Sequence, residues 1–502
     1  MHGVPQTSVA TYNYTTLCGP EGGGETALWQ GFPLTRGSHE RTEGWTMNAN
    51  QALTEFQWVP EPKAEKLVRR LVNAFLSRSE FATTLRHRMH REAGVRFVDM
   101  VDHLVVPQTA ELEHDLTATG FQRQTEPTED VVHAQPDGIF PRVVLGPTTT
   151  GTRIALKVES VADFESVWQT DANVVGPPLS PLRSAKVWSS SQDELWIVER
   201  HGYPGFAEQL PPEAANVLLH ADALRRRPRA VNEKHGFDAA EQLIDAAIRD
   251  LGVDYTCDLF FSIEREYWQR RNRAAQVQKA RQDRLGLGWA NHDHHTYRSS
   301  RKDFARLIGI FEKLGFHCRE RFYAGREAGW GAQVLEQPHA GIVIFADVDL
   351  SPDELFADFA HEPLAERQEL GTVGLWCGLH GESFLAAGMH HLECQFDFEA
   401  LKDQLKAEAG VTVMKPFTDL PYLRQAFTEG ERWPVSHERI KKLLAEGKIS
   451  AEQAAGFERE GAIGSHLENL ERNAGFKGFN QTGVSEIISA TDPRKHLEGL
   501  SA

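Results

Sequence analysis

Two histidines and a glutamate, spread almost evenly over the second half of the chain, are of the types that hold a metal ion. His294 stands in ANHDHHTYR, His391 in AGMHHLECQFDF and Glu486 in NQTGVSEIISATDPR. The first two are 97 residues apart (391 − 294) and the last two 95 (486 − 391). Two imidazoles and one carboxylate on one face of an octahedral ion leave positions open for substrate and dioxygen, as a non-haem Fe(II) oxygenase needs. His292 and His295 compete with His294 for the first place, and His390 competes with His391 for the second. On an extended strand His292 and His294 share a face while His295 points away. Imidazoles must be neutral to bind, so activity is expected to fall as pH drops through their titration range.

The elements that would position these residues recur. After residue 290, HHTYR leads into DFARLIGIFEKLG, whose Phe304, Leu307, Ile308, Phe311 and Leu314 form one helical stripe closed by Gly315, and GIVIFADVDL supplies a later strand. A second copy starts at MHHLECQFDF. Phe398, Leu401 and Leu405 lie on one helix face, Gly410 ends the helix, and VTVMKPF is expected as a strand. A polar helical insertion is expected over about 435–475, with Ser450 and Gln453 at capping-box spacing, and TGVSEIIS would be the strand that closes the second copy. Ligands on the first strand of each module and on the last strand of the second can then point into one cavity.

The first half carries the same signals without the chemistry. Residues 1–50 are rich in Gly, Thr and Ser, lack apolar periodicity and are expected to be flexible, with Met47 an alternative start to Met1. Helical patterning runs from about Pro60 to Arg91, and then come RFVDMVDHLVVP, the helix TAELEHDLTATG, RVVLG and TRIALKVES, a strand–helix–strand series. His103 is the counterpart of His294, with no second histidine or glutamate to join it. Residues 51–285 are therefore expected to be helical segments plus a non-catalytic sister domain, and 286–502 the metal-binding domain.

Composition narrows the class. A net charge of −17 argues against a general nucleic-acid binder, and the basic run RRRPR (Arg225 to Arg229) is expected to be solvated, salt-bridged helix surface. No apolar run reaches membrane-spanning length and no secretory leader is seen. Cys18, Cys257, Cys318, Cys377 and Cys394 are scattered without a CxxC pair, which reads as reduced thiols in a cytoplasmic protein.

Over roughly 285–495 the motifs resemble the vicinal oxygen chelate superfamily and, within it, the 2-oxoadipate dioxygenase/decarboxylase family, related to hydroxyphenylpyruvate dioxygenase. The H-x-x-x-R motif fits His294-His295-Thr296-Tyr297-Arg298, and an N-H-L-T-like segment fits His390-His391-Leu392-Glu393. An LLRQTSF-like segment fits Tyr422 to Phe427, and a G-E-I-E-like strand fits Ser485-Glu486-Ile487-Ile488. The resemblance implies an α+β fold of paired βαβββ modules, a curved sheet around a metal, with helical insertions. It implies His294, His391 and Glu486 as ligands of Fe(II), with Mn, Co or Zn as other ions such a site accepts. Arg298 would hold the substrate carboxylate, and Arg424 and Gln425 would be further substrate groups. The implied reaction is oxidation of a 2-oxo acid such as 2-oxoadipate by O2 to 2-hydroxyglutarate and CO2, without a 2-oxoglutarate co-substrate. Where the family carries a second arginine near STAFR, this chain reads AQVLEQ. Extradiol ring cleavage, a glyoxalase-type isomerase or lyase drawing a fourth ligand from Asp347 or Asp349, and a non-catalytic small-ligand binder remain alternatives.

Overall fold

The computed structural model describes residues 58–124, 131–230, 232–480 and 492–495. Glu486 and the whole TGVSEIIS segment lie outside them. The N-terminal segment 1–50 lies outside them as well.

In the first half the strands are β1 (Val101–Pro107), β2 (Gln122–Gln124), β3 (Val131–Ala134), β4 (Arg142–Gly146), β5 (Arg153–Lys157), β6 (Val174–Val175), β7 (Leu182–Ser189) and β8 (Glu194–Arg200). In the second half they are β9 (His292–Arg298), β10 (His317–Tyr323), β11 (Trp330–Gln337), β12 (Ile342–Asp349), β13 (His391–Gln395), β14 (Thr418–Leu420), β15 (Leu423–Phe427), β16 (Glu431–Trp433) and β17 (Ala462–Arg472). The first sheet runs β2-β3-β4-β1-β5-β8-β7-β6, and the second runs β10-β11-β12-β9-β13-β17-β15-β14 with β16 beside β17. These are the same order. Each sheet is two four-stranded modules joined antiparallel through their first strands, β1 to β5 and β9 to β13.

One helix follows the first strand of each module: Ala110–Ala118, Val161–Trp168, Phe304–Lys313 and Phe398–Ala409. Side-chain oxygens of Thr109, Ser160 and Asp397 cap three of them by accepting from the backbone N–H three residues on. Gly410 takes φ 64° where the fourth helix ends, a left-handed conformation that costs a glycine little. Between the sheets lie Ala214–Arg225, Glu233–Leu251, Val253–Gln269 and Arg273–Asp283. One continuous apolar core joins both sheets and these helices, with Phe164, Phe237, Phe261, Trp268, Tyr297 and Phe311 fully buried. Among the described residues, no helix is long and apolar enough to cross a membrane.

Three expectations need correction. The helical insertion ends at Glu460: His437–Ala445 and Ala451–Glu460 are helices, the latter with the Ser450/Gln453 capping box, but 462–472 is an 11-residue strand. VTVMKPF contributes a single bridge, Val413 to Thr428, and no strand of its own. RRRPR is only half solvated. Arg227 and Arg229 are buried (4% and 8% exposed), both paired with Glu264 and bonded to the carbonyls of Phe384 and Leu385. Pro228 ends the helical run here, so the chain turns these two guanidiniums inward instead of along a helix surface.

Candidate metal centre

Alternation along β9 sorts its side chains between two environments. His295 and Tyr297 face the helices, their rings 5.2 and 6.2 Å from Phe261. His294, Thr296 and Arg298 face a cavity on the other side of the sheet, all at most 3% exposed. His292 does not follow His294. The β9–β13 register shifts between Glu393 and Cys394, so the strand bulges at Asp293 and His292 turns to the helical side, 5.4 Å from the ring of His295. The strand expected to place His292 and His294 on one face is thus broken at the residue between them. His390 also turns away, bonding Gly464 O through Nδ1 and packing 5.2 Å from Trp376.

Strand pairing then brings the donors together. Glu393 lies opposite His294 across β9–β13, and Glu468 lies beside Glu393 across the parallel pair β13–β17. His294 Nε2 and His391 Nε2 approach the same Glu393 Oε1, at 2.8 and 2.6 Å, and His391 Nε2 is 3.8 Å from Glu468 Oε2. One ligand atom each from His294, Glu393 and Glu468 falls within 4.8 Å of the others. Thr296 Oγ1 donates to Glu393 Oε1 at 3.0 Å, and Gln425 Nε2 donates to Glu468 Oε1 at 2.9 Å. Glu393 Oε2 is buried without a partner.

The surroundings hold these groups in metal-binding form. Asp293 Oδ1 lies 3.0 Å from His294 Nδ1, and Arg472 grips both Asp293 oxygens at 2.9 and 3.0 Å. An Nδ1–H donated to a carboxylate leaves the Nε2 lone pair for a cation. Burial pushes His294 down to about 4 against the pull of Asp293, and burial with nearby His466 and Arg298 pushes His391 well below its usual value. Both shifts favour the neutral imidazole, the form that binds a metal. Burial raises Glu468 to about 8, and burial with Glu468 alongside raises Glu393 well above the carboxylate range. Two adjacent buried carboxyls cannot both ionise unless a cation joins them. The orphaned oxygen, the neutral imidazoles and the paired acids fit a divalent ion.

Arg298 lies across the cavity, its Nε 3.7 Å from Asp347 Oδ2, and both Arg298 Nε and Asp347 Oδ1 are buried without hydrogen-bond partners. Burial raises Asp347 to about 7 against the charge of Arg298. Asp349, the other candidate fourth ligand, accepts from the N–H groups of Gly371, Val373 and Gly374 and so caps the helix Thr372–His380. Gln425 reaches the site; Arg424, next along β15, points the opposite way and pairs with Asp419 and Glu399. Arg424 therefore does not line this cavity. The cavity measures about 60 Å³ and is walled by Phe322, Trp330, Phe345, Phe417, Phe427 and Phe479.

Glu393 and Glu468 were not among the expected ligands. A signal for both is present in the sequence: His391-Leu392-Glu393 recurs as His466-Leu467-Glu468, and the two tripeptides pair residue for residue. The second copy sat inside the expected helical insertion, which hid it.

No protein-family model and no curated protein matches the chain. Solved structures do. A putative glyoxalase superfamily protein from Ralstonia eutropha JMP134 is 12% identical with TM-score 0.30, over 52% of this chain and 96% of its own. A mutant 4-hydroxymandelate synthase from Streptomyces coelicolor is 12% identical with TM-score 0.24, over 80% of this chain and 98% of its own. The uncharacterized protein YdcJ from Shigella flexneri, which includes domain DUF1338, is 12% identical with TM-score 0.21, over 50% and 73%. The class follows from the strand order itself: an α+β protein of the vicinal oxygen chelate fold, built from paired βαβββ modules with helical insertions.

Proposed function

We propose that the protein is a metal-dependent oxygenase of 2-oxo acids, with the ion held by His294, His391 and Glu468 and with Glu393 as an adjoining carboxylate. One observation carries this reading: two neutral imidazoles and two buried acids converge on the inner face of the second sheet, one acid oxygen lacking any partner. Glu468 is on the last strand of the second module, the position anticipated for the carboxylate ligand and expected there to be Glu486. Fe(II) is the ion proposed; when bound it would supply a Lewis acid and a site for dioxygen.

The chain's own groups account for the rest. Arg298 supplies a buried guanidinium for the substrate carboxylate, and Asp347, 3.7 Å from its Nε, fixes its position. Gln425 orients Glu468 and Thr296 orients Glu393. The aromatic wall excludes water. Among the described residues Arg298 is the one cationic side chain lining the cavity, so a 2-oxo acid with an apolar body suits this lining better than 2-oxoadipate, whose second carboxylate finds no partner among them. A space of about 60 Å³ is well below the roughly 300–1,000 Å³ of small-molecule sites, so the wall must part for the remainder of a substrate. A glyoxalase-type reading would rest on Glu393 as fourth ligand, now that Asp349 is a helix cap.

Anaerobic reconstitution with Fe(II), followed by oxygen-electrode traces with aromatic, branched and dicarboxylic 2-oxo acids, tests the reading. Oxygen uptake matched by CO2 release is the expected result. Tight metal binding with no uptake on any of them would replace it by the isomerase or lyase reading.

A further inference from the structure

A second cavity, of about 700 Å³, opens between the first sheet, the helix Val253–Gln269 and the outer end of β9. Its size falls within the roughly 300–1,000 Å³ of small-molecule sites. Three acids line it, and each is already committed. Asp102 is bound by Arg200 at 2.8 Å, Asp258 by His201 at 2.9 Å and Glu159 by Lys279 at 3.1 Å.

Two lining cations are not so matched. Arg265 is 6% exposed, its Nε has no hydrogen-bond partner, and its Nη1 meets only the neutral ring of His295, at 3.3 Å. Among the described residues neither Arg265 nor Lys157 forms an ion pair. A guanidinium buried beside no carboxylate is strongly unfavourable unless an anion joins it. His292 adds an acceptor: its Nδ1 lies 3.0 Å from Trp289 O and so carries the proton, which leaves Nε2 buried, unpartnered and lone-pair bearing.

We propose that this cavity binds a small hydroxy acid, its carboxylate held by Arg265 and Lys157 and its hydroxyl donating to His292 Nε2. Hydrogen phosphate would satisfy the cations and also carries a proton for His292, but a cavity of about 700 Å³ leaves room for the carbon body of a hydroxy acid, so phosphate is kept as the competing anion in the test. The site is separate from the metal centre, because the bulge at Asp293 turns His292 to the opposite side of β9 from His294.

Calorimetric titration of the metal-free full chain with L-malate, succinate and inorganic phosphate tests this. L-malate should bind the wild type and His294→Ala equally, and about tenfold more weakly to Arg265→Met and to Lys157→Met, each checked for folding by circular dichroism. His292→Phe should remove the preference for malate over succinate. Loss of malate binding in His294→Ala with retention in both cation variants would place the anion at the metal centre and overturn the proposal. So would the absence of malate binding up to about 10 mM, or phosphate binding tighter than malate.

Discussion

The two sheets share a strand order and a histidine clamp, yet among the described residues only the second gathers buried donors that could hold a metal. In the first, Arg200 grips Asp102 with both oxygens at 2.8 Å, and Asp102 lies 2.6 Å from His103 Nδ1. In the second, Arg472 grips Asp293, which orients His294 in the same way. The register then separates them. Ala155 lies opposite His103 where Glu393 lies opposite His294, and Trp196 sits beside Ala155 where Glu468 sits beside Glu393. Arg153 occupies the place of His391, stacked over Trp196 at 4.8 Å and paired with Glu194. A clamp that orients an imidazole does not make a site. Donors from two further strands do, and a guanidinium, a methyl and an indole cannot replace them. This supports the proposal that the first sheet is a non-catalytic sister.

The largest effect expected is loss of the ion. His294→Ala, His391→Ala and Glu468→Gln should each reduce metal retention and oxygen uptake by at least about 100-fold, measured by metal analysis and oxygen electrode. Glu486→Gln should keep both; the reverse pattern for the two glutamates would restore Glu486 as the ligand. Next, breaking the clamp in each sheet measures what it does. Arg472→Met should lower metal affinity by about 10–100-fold, whereas Arg200→Met should leave it unchanged and lower only the melting temperature. Equal losses of affinity would mean that the first sheet also serves the ion.

Smaller effects concern stability. Glu393→Gln removes one of two adjoining buried acids, so it should raise the Tm of the metal-free protein, on the order of 3 °C, while reducing the shift produced by metal. His201 sits between Glu199 and Asp258 at 2.9 Å from each, and although burial lowers its pKa these acids raise it to about 10 from 6.5. A raised histidine stabilises fully below pH 6.5 and loses that contribution as pH climbs through about 10. Scanning calorimetry should show His201→Gln melting roughly 5 °C below wild type at pH 6 and converging with it above pH 10. Arg424→Ala should be the smallest change, with activity preserved, because its partners Asp419 and Glu399 are exposed.

Much of the scaffold was legible from local pattern. The stripe Phe304, Leu307, Ile308 and Phe311 is the buried face of its helix, the Ser450/Gln453 box caps as its spacing indicates, and β1, β9 and β13 fall on the histidine segments that suggested them. The weak repeat after residue 290 is a pair of modules. What local pattern could not supply was pairing. β17 reads AIGSHLENLER, in which polar residues are buried on both faces, so neither alternation nor composition marks it as a central strand.

The sequence by itself determined the residue types, the helices with their caps, and the histidines with Arg298 that set the search for a metal, because those signals act over a few residues. Tertiary structure alone decided which carboxylates join them. Glu393 and Glu468 meet because β13 and β17 pair in register, His292 is turned away by one bulge, and Arg424 and Gln425 part company across a single strand. With a side-chain period of two, one residue of register moves a group from the cavity to the opposite face, and that register is fixed by partners far away in the chain.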